Sequence, residues 1–188
     1  MVKATTVQAN TVQAATDTSS LFQLKIALVD FSPQIWRRVL VPSSISLNRL
    51  HSLIEKSIGW EGYHLHQYRQ GYVVLEETQA LSKVLFQPRM GFEYVYDLGD
   101  HWQHWVTLEK IKPISAMQML PLCVAGANAC PPEDCGGPPG YRELLKILST
   151  GRGYERDVMR QRYDKKIDPR AFDLIAVNER LKPEFWNG

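Results

Sequence analysis

The strongest constraint on this chain is a two-residue alternation of apolar and polar side chains that returns in several short segments. In Leu21–Val29 (LFQLKIALV), Phe22, Leu24, Ile26 and Leu28 fall on one side. Successive side chains on a strand point to opposite faces, so this pattern predicts a strand with one buried face. Ile35–Val41 (IWRRVLV) is a second strand, which Pro42 ends. Only a turn at Asp30–Pro33 separates the two, which predicts an antiparallel hairpin. Arg37 and Arg38 then lie on opposite faces, so at least one guanidinium needs an internal partner. Phe92–Asp97 and His101–Ile111 (HWQHWVTLEKI) repeat the pattern around a turn at Leu98-Gly-Asp100. Trp102, His104, Val106 and Leu108 share one face; His101, Gln103, Trp105 and Thr107 share the other.

The period changes between these hairpins. Ser46 suits a helix N-cap, Leu47, Leu50, Ile54 and Ile58 recur at helical spacing, and Gly59 supplies a stop. His64, His66 and Tyr68 share one face of a further strand. Tyr72–Leu75 reads as its return, and Thr78–Leu85 as a short helical piece. Helical patterns close the chain at Tyr141–Leu148 and Tyr154–Tyr163. A last helix is predicted to open at Asp168-Pro169 and run to about Leu181. Strands with one helix first, and helices last, predict an α+β fold. The expectation is a mixed, mostly antiparallel sheet packed by an N-terminal-half helix, with a C-terminal helical segment. Residues 113–140 read as an irregular loop of the length that is usually functional or tied down. Residues 1–20, where TVQA occurs twice and long apolar side chains are few, read as a flexible N-terminal tail. Residues 21–188 then form a single domain.

The 188 residues carry 22 basic and 20 acidic side chains. A net charge of +2 gives no electrostatic footprint of nucleic-acid binding by itself. No apolar run reaches the length of a membrane helix, and the first 20 residues lack the apolar stretch of a signal peptide. With three cysteines and no secretory signal, a reducing cytoplasm is the expected compartment. The signatures of P-loop NTPases, Rossmann dehydrogenases, α/β-hydrolases and zincins are absent.

Three constellations carry chemistry. Cys123, Cys130 and Cys135 lie in a Pro/Gly-rich stretch. Thiolates suit zinc, and a closed structural site needs a fourth ligand, for which His104 is the candidate. The alternative is three small thiols packing a turn-rich loop. His64, His66, Asp97, Asp100 and His104 form a second set, a mixed nitrogen and oxygen environment able to hold a metal or move protons. Against it stands the ordinary use of His and Asp in satisfying turns and core edges. The third is a contact surface drawn from Arg37, Arg38, Trp102, Arg156 and Arg160. The segment Gly151–Lys166 carries six basic residues against three acidic ones, which could face phosphates or simply solvent.

The stretches IWRRVLVP (35–42), LHSLIEKSIGW (50–60), HLHQYR (64–69), YVYDLGDHWQH (94–104), ACPPEDCGGPPGY (129–141) and FDLIAVNERL (172–181) occur in this order. Together they resemble the plasmid pRiA4b ORF-3-like family. The resemblance implies an α+β domain encoded on plasmids or mobile elements, with a role in transposition, recombination or plasmid maintenance. The leading expectation is therefore an accessory protein that binds protein or nucleic acid, such as a recombination or transposition protein, with a structural zinc. A metal-dependent hydrolase or nuclease using the His/Asp set is the alternative. A purely structural interaction protein is a third.

Overall fold

The computed structural model describes residues 20–114, 119–150, 154–163 and 167–182. The chain runs β1 (Ser20–Leu28), β2 (Trp36–Pro42), α1 (Leu47–Ile58), β3 (His66–Gln70), β4 (Val73–Val74), α2 (Leu81–Val84), β5 (Gly91–Tyr96), β6 (Trp102–Pro113), β7 (Leu122–Ala127), α3 (Gly137–Thr150), α4 (Tyr154–Arg162) and α5 (Leu174–Arg180). The strands form one seven-stranded sheet in the order β4-β3-β5-β6-β1-β2-β7. Every pairing is antiparallel. The fold is α+β, as the pattern predicts.

The β1–β2 hairpin places Leu24 opposite Val39 and Ile26 opposite Arg37. On β6, Trp102, His104, Val106 and Leu108 are all fully buried, which is the predicted inward face. Helix α1 matches its sequence signals at both ends. The Ser46 side chain accepts from the Arg49 N–H, and Gly59 ends the helix at φ 122°. Its stripe of Leu47, Leu50, Leu53, Ile54 and Ile58 joins Leu24, Ile26, Val39 and Val106 in one apolar core.

Arg37 completes the end of α1 from the strand below. Its Nε donates to Ser57 O (2.8 Å) and Nη2 to Ile58 O (3.1 Å), while Nη1 reaches Trp36 O and Ala127 O. These are carbonyls that a helix end and an edge strand would otherwise leave unpaired. Arg38, on the opposite face, forms a two-pronged pair with Glu109.

Several sequence expectations are corrected. Ser20 belongs to β1, while residues 1–19 of the expected tail lie outside the described residues. The stretch 113–140 is not one irregular loop. Leu122–Ala127 pairs with β2 as an edge strand, and α3 begins at Gly137 rather than Tyr141. Asp168-Pro169 does not open the last helix. The Asp168 carboxylate accepts from the Arg170 N–H and closes a local turn. Asp173 caps α5 instead, accepting from the Ile175 and Ala176 N–H groups. His64 precedes β3, and its ring packs on Tyr96, the cross-strand partner of His66. Among the described residues, no helix is long and apolar enough to cross a membrane.

Candidate cation centre

The structure scatters one predicted ligand set and gathers part of the other. Cys123 sits on β7 and pairs with Val39. Cys130 packs its Cβ side against Gly59 at the end of α1, and Cys135 precedes α3. His104 lies fully buried within the aromatic core, where its Nε2 accepts from the Trp60 indole N–H (3.3 Å). These four do not meet as a donor set. Among the described residues, the His, Cys, Asp and Glu donors that fall within 4.8 Å of one another in a group of three or more are His64, Asp97 and Asp134. Burial pushes all three thiols up, Cys135 to about 12, which favours the neutral form over the thiolate a metal needs. Burial likewise pushes the His104 imidazole down to about 4.

The rest of the predicted His/Asp set divides. His66 is engaged elsewhere, where it stacks on His51 (3.4 Å between centroids) and pairs with Glu77. Asp100 accepts from the Gly136 N–H (3.2 Å) and helps to dock the 129–136 segment. Among the candidate contact residues, Arg37 is spent on backbone carbonyls and Trp102 is fully buried against Trp60, Phe31 and Tyr141. Neither offers a face to a partner. Arg156 lies on α4, half-buried, and the Arg160 side chain lies outside the described residues.

His64 stands at the centre of the site. Asp97 ends β5 in a left-handed conformation (φ 54°), a region that short polar side chains tolerate better than most. Its Oδ1 accepts from the Gly99 and Asp100 N–H groups, which turns Oδ2 toward His64 Nδ1 at 3.6 Å. On the other side of the ring, His64 Nε2 faces Asp134 Oδ1 at 3.4 Å and Glu133 Oε2 at 3.7 Å. Asp134 is also left-handed (φ 52°). Glu133 is held by its other oxygen, which accepts from the Glu61 N–H (2.8 Å) and the Tyr96 hydroxyl (2.9 Å).

The corner that brings these residues together is set by Gly137. It has φ 65°, and a Cβ there would lie 2.4 Å from Asp100 O. Only glycine lets the start of α3 approach the β5–β6 turn this closely. The carboxylates of Glu133 and Asp134 were not in the set predicted from sequence. They lie in CPPEDC, whose signal was dominated by its thiols.

The electrostatics follow from crowding acids around one imidazole. Burial pushes the Glu133 carboxyl up. Burial, then the charges of Glu133 and Asp134, pushes the Tyr63 phenol up to about 12. Burial, then the hydrogen bond to Glu133, raises Tyr96. Both phenols stay neutral and act as donors, Tyr63 to Asp134 and Tyr96 to Glu133.

The model of the plasmid pRiA4b ORF-3-like protein family matches residues 20–176, which is most of the chain and includes every residue of this site. The chain belongs to that family. Uncharacterized protein y4hQ of Sinorhizobium fredii (strain NBRC 101917 / NGR234) is 32% identical over 145 residues, covering 70% of this chain and 74% of that protein. The crystal structure of MM3350 from Methanosarcina mazei Go1, a protein of unknown function, is similar with a TM-score of 0.75 at 32% identity. It covers 84% of this chain and 97% of that one. The pRiA4b ORF-3-like fold therefore extends across nearly all of a solved relative.

Proposed function

We propose that this protein is a divalent-cation-binding accessory protein, with His64, Asp97, Glu133 and Asp134 as the centre. One observation carries the reading. His64 Nε2 and Glu133 Oε2 are buried, face each other, and have no hydrogen-bond partner. Such groups are costly to leave unmatched. A cation about 2.1 Å from His64 Nε2 and Asp134 Oδ1 would see their 3.4 Å separation at about 110°, an ordinary angle for a small coordination shell, while Glu133 Oε2 faces the same nitrogen from 3.7 Å. Asp97 then holds the ring from Nδ1, the role carboxylates commonly play behind a metal-bound histidine. One imidazole among carboxylates suits Zn2+ or Mn2+. The cation would fasten three separate segments, the α1–β3 connection, the end of β5 and the loop before α3.

A second reading, metal-dependent hydrolysis of phosphodiesters, draws on the exposure of the Asp134 side chain (70%), which leaves room for water and substrate. Calorimetric titration with Zn2+ and Mn2+ tests the centre. The expected result is one saturable site that His64→Ala and Asp97→Asn each weaken by at least about tenfold. Unchanged binding in His64→Ala would remove the centre. Hydrolysis of bis(p-nitrophenyl) phosphate no faster than with free metal would remove the enzymatic reading alone.

A further inference from the structure

The two faces of the sheet are used differently. The buried apolar residues of α1, α3 and α5 join the core on the face that carries Leu24, Ile26 and Val106. On the opposite face, Trp105 stands across from Ala27, and Ala27 across from Trp36. A short side chain thus separates two tryptophans, on strands that a spacing of about 4.8 Å puts roughly 10 Å apart. At Ala27 lies a cavity of about 460 Å3, bounded by Trp105 and by the turn between β1 and β2. That volume is within the usual range for small-molecule sites.

Trp105 is 47% exposed. Its indole lies against Gly91 of β5, where a Cβ would come 3.0 Å from Nε1, so the ring is backed by the sheet. The rest of the lining is largely polar. Ser32 and Thr107 bring hydroxyls, Gln34 an amide, and Lys25 and Asp30 one charge of each sign. The cations here are engaged. Lys25 Nζ donates to Gln34 Oε1 (2.7 Å), and Arg38 pairs with Glu109. Both lie over the Trp36 ring, at 5.5 Å and 5.1 Å. Arg142 reaches the turn from α3, where it donates to Asp30 O (3.3 Å) and lies over Phe31.

We infer that this cavity binds a neutral saccharide, with one sugar ring on the Trp105 indole and its hydroxyls toward Lys25, Asp30, Ser32 and Thr107. A pyranose with equatorial hydroxyls presents C–H bonds on its flat faces and polar groups around its edge. That matches an aromatic platform bordered by donors and acceptors. A nucleotide base would also stack, but its phosphate would have to break the Lys25 and Arg38 pairs. A wholly apolar ligand would strand the polar lining. The inference goes beyond the cation centre, none of whose residues line this cavity.

The test is titration of the full chain with cellotriose, read by tryptophan fluorescence and by calorimetry. Sorbitol, which has the hydroxyls without the ring, and a dT6 oligonucleotide are the controls. Cellotriose is expected to bind saturably, with a Kd on the order of 1 mM, and both controls far more weakly. Trp105→Leu keeps an apolar side chain without the ring and should weaken cellotriose by about tenfold or more, while Trp105→Tyr retains most of the binding. Thr107→Val should weaken it by about fivefold. The Tm of each variant, close to the parent's, is the control for folding. Absence of saturable binding, an equal response to sorbitol, tighter binding of dT6, or undiminished binding in Trp105→Leu would each overturn the inference. His64→Ala separates the two sites, since it should abolish Zn2+ binding and spare cellotriose. Zn2+ binding without cellotriose binding would overturn the saccharide assignment alone. Cellotriose binding without Zn2+ binding would overturn the cation centre alone.

Discussion

Two buried polar side chains show opposite solutions to the same desolvation problem. Arg37 stays charged because four backbone carbonyls surround it. Burial is the largest influence lowering its pKa, and those acceptors offset the cost. Arg37→Met would fit the space but strand the carbonyls of Ser57 and Ile58. The expected loss is about 3 kcal/mol or more, and for a domain of this size a fall in Tm of roughly 6–12 °C by calorimetry. A drop under about 2 °C would show that water replaces the guanidinium at no cost. His104 takes the other course and stays neutral. Because Nε2 accepts from Trp60, the proton sits on Nδ1, and no hydrogen-bond partner meets it. Burial holds its pKa at about 4 against an unfolded value of 6.5. Below pH 6.5 the unfolded chain therefore takes up a proton that the native chain refuses. Stability should be complete above that pH and decline toward pH 4, by about 3 kcal/mol from this group. Urea unfolding across this range should show the slope in the parent and a flatter one in His104→Gln, which can still accept from Trp60. Equal slopes would assign the acid loss to other groups.

At the scale of elements, legibility followed locality. Helix α1 was readable to the residue because its cap, stripe and stop all lie within Ser46–Gly59. Strand β7 was not, because LCVAGA has little β-branched character and gains its identity from pairing with the distant β2, at Arg37↔Gly126 and Val39↔Cys123. The beginning of α5 was misplaced because Asp168 and Asp173 have the same chemistry in sequence, and only the backbone N–H each one meets distinguishes a turn from a cap. The site was half legible for the same reason. His64 and Asp97 could be nominated by residue type, but Glu133 and Asp134 join them through the docking of the loop before α3, which no local pattern encodes. Gly137 is the residue on which that docking depends. Gly137→Ala would place a methyl group 2.4 Å from Asp100 O at positive φ, so the loop must withdraw. It should cost about 2 kcal/mol or more and weaken Zn2+ binding in parallel. A variant that keeps parental Zn2+ affinity would show that the corner does not position Glu133 and Asp134.

The whole molecule is organised around an open sheet whose two edges are closed differently. At one end β4 is only two residues long, Val73–Val74, too short to template another strand. At the other, β7 is a six-residue edge that β2 pairs on one side only. Helix α5 covers the free side with an amide. Asn178 Oδ1 accepts from the Cys123 N–H (2.8 Å), and its Nδ2 donates to Cys123 O (2.9 Å). The side chain thereby acts as one residue of an eighth strand. Arg180 extends the same helix to Lys56 O, so α5 ties the sheet edge to α1. Asn178→Ala removes both bonds to Cys123 and should cost about 1–3 kcal/mol, lowering Tm by several degrees. Asn178→Asp is the sharper test. It can still accept from the N–H but cannot donate, and it sets a charge beside Cys123 O, so it should be at least as damaging as alanine. Both should raise the concentration-dependent association seen by light scattering, because the edge is open in each. If Asn178→Asp keeps the parental Tm and stays as dispersed as the parent, the amide is not what closes this edge, and the apolar contacts of Val177 and Leu181 with the Arg180 bond to Lys56 O must hold the helix in place.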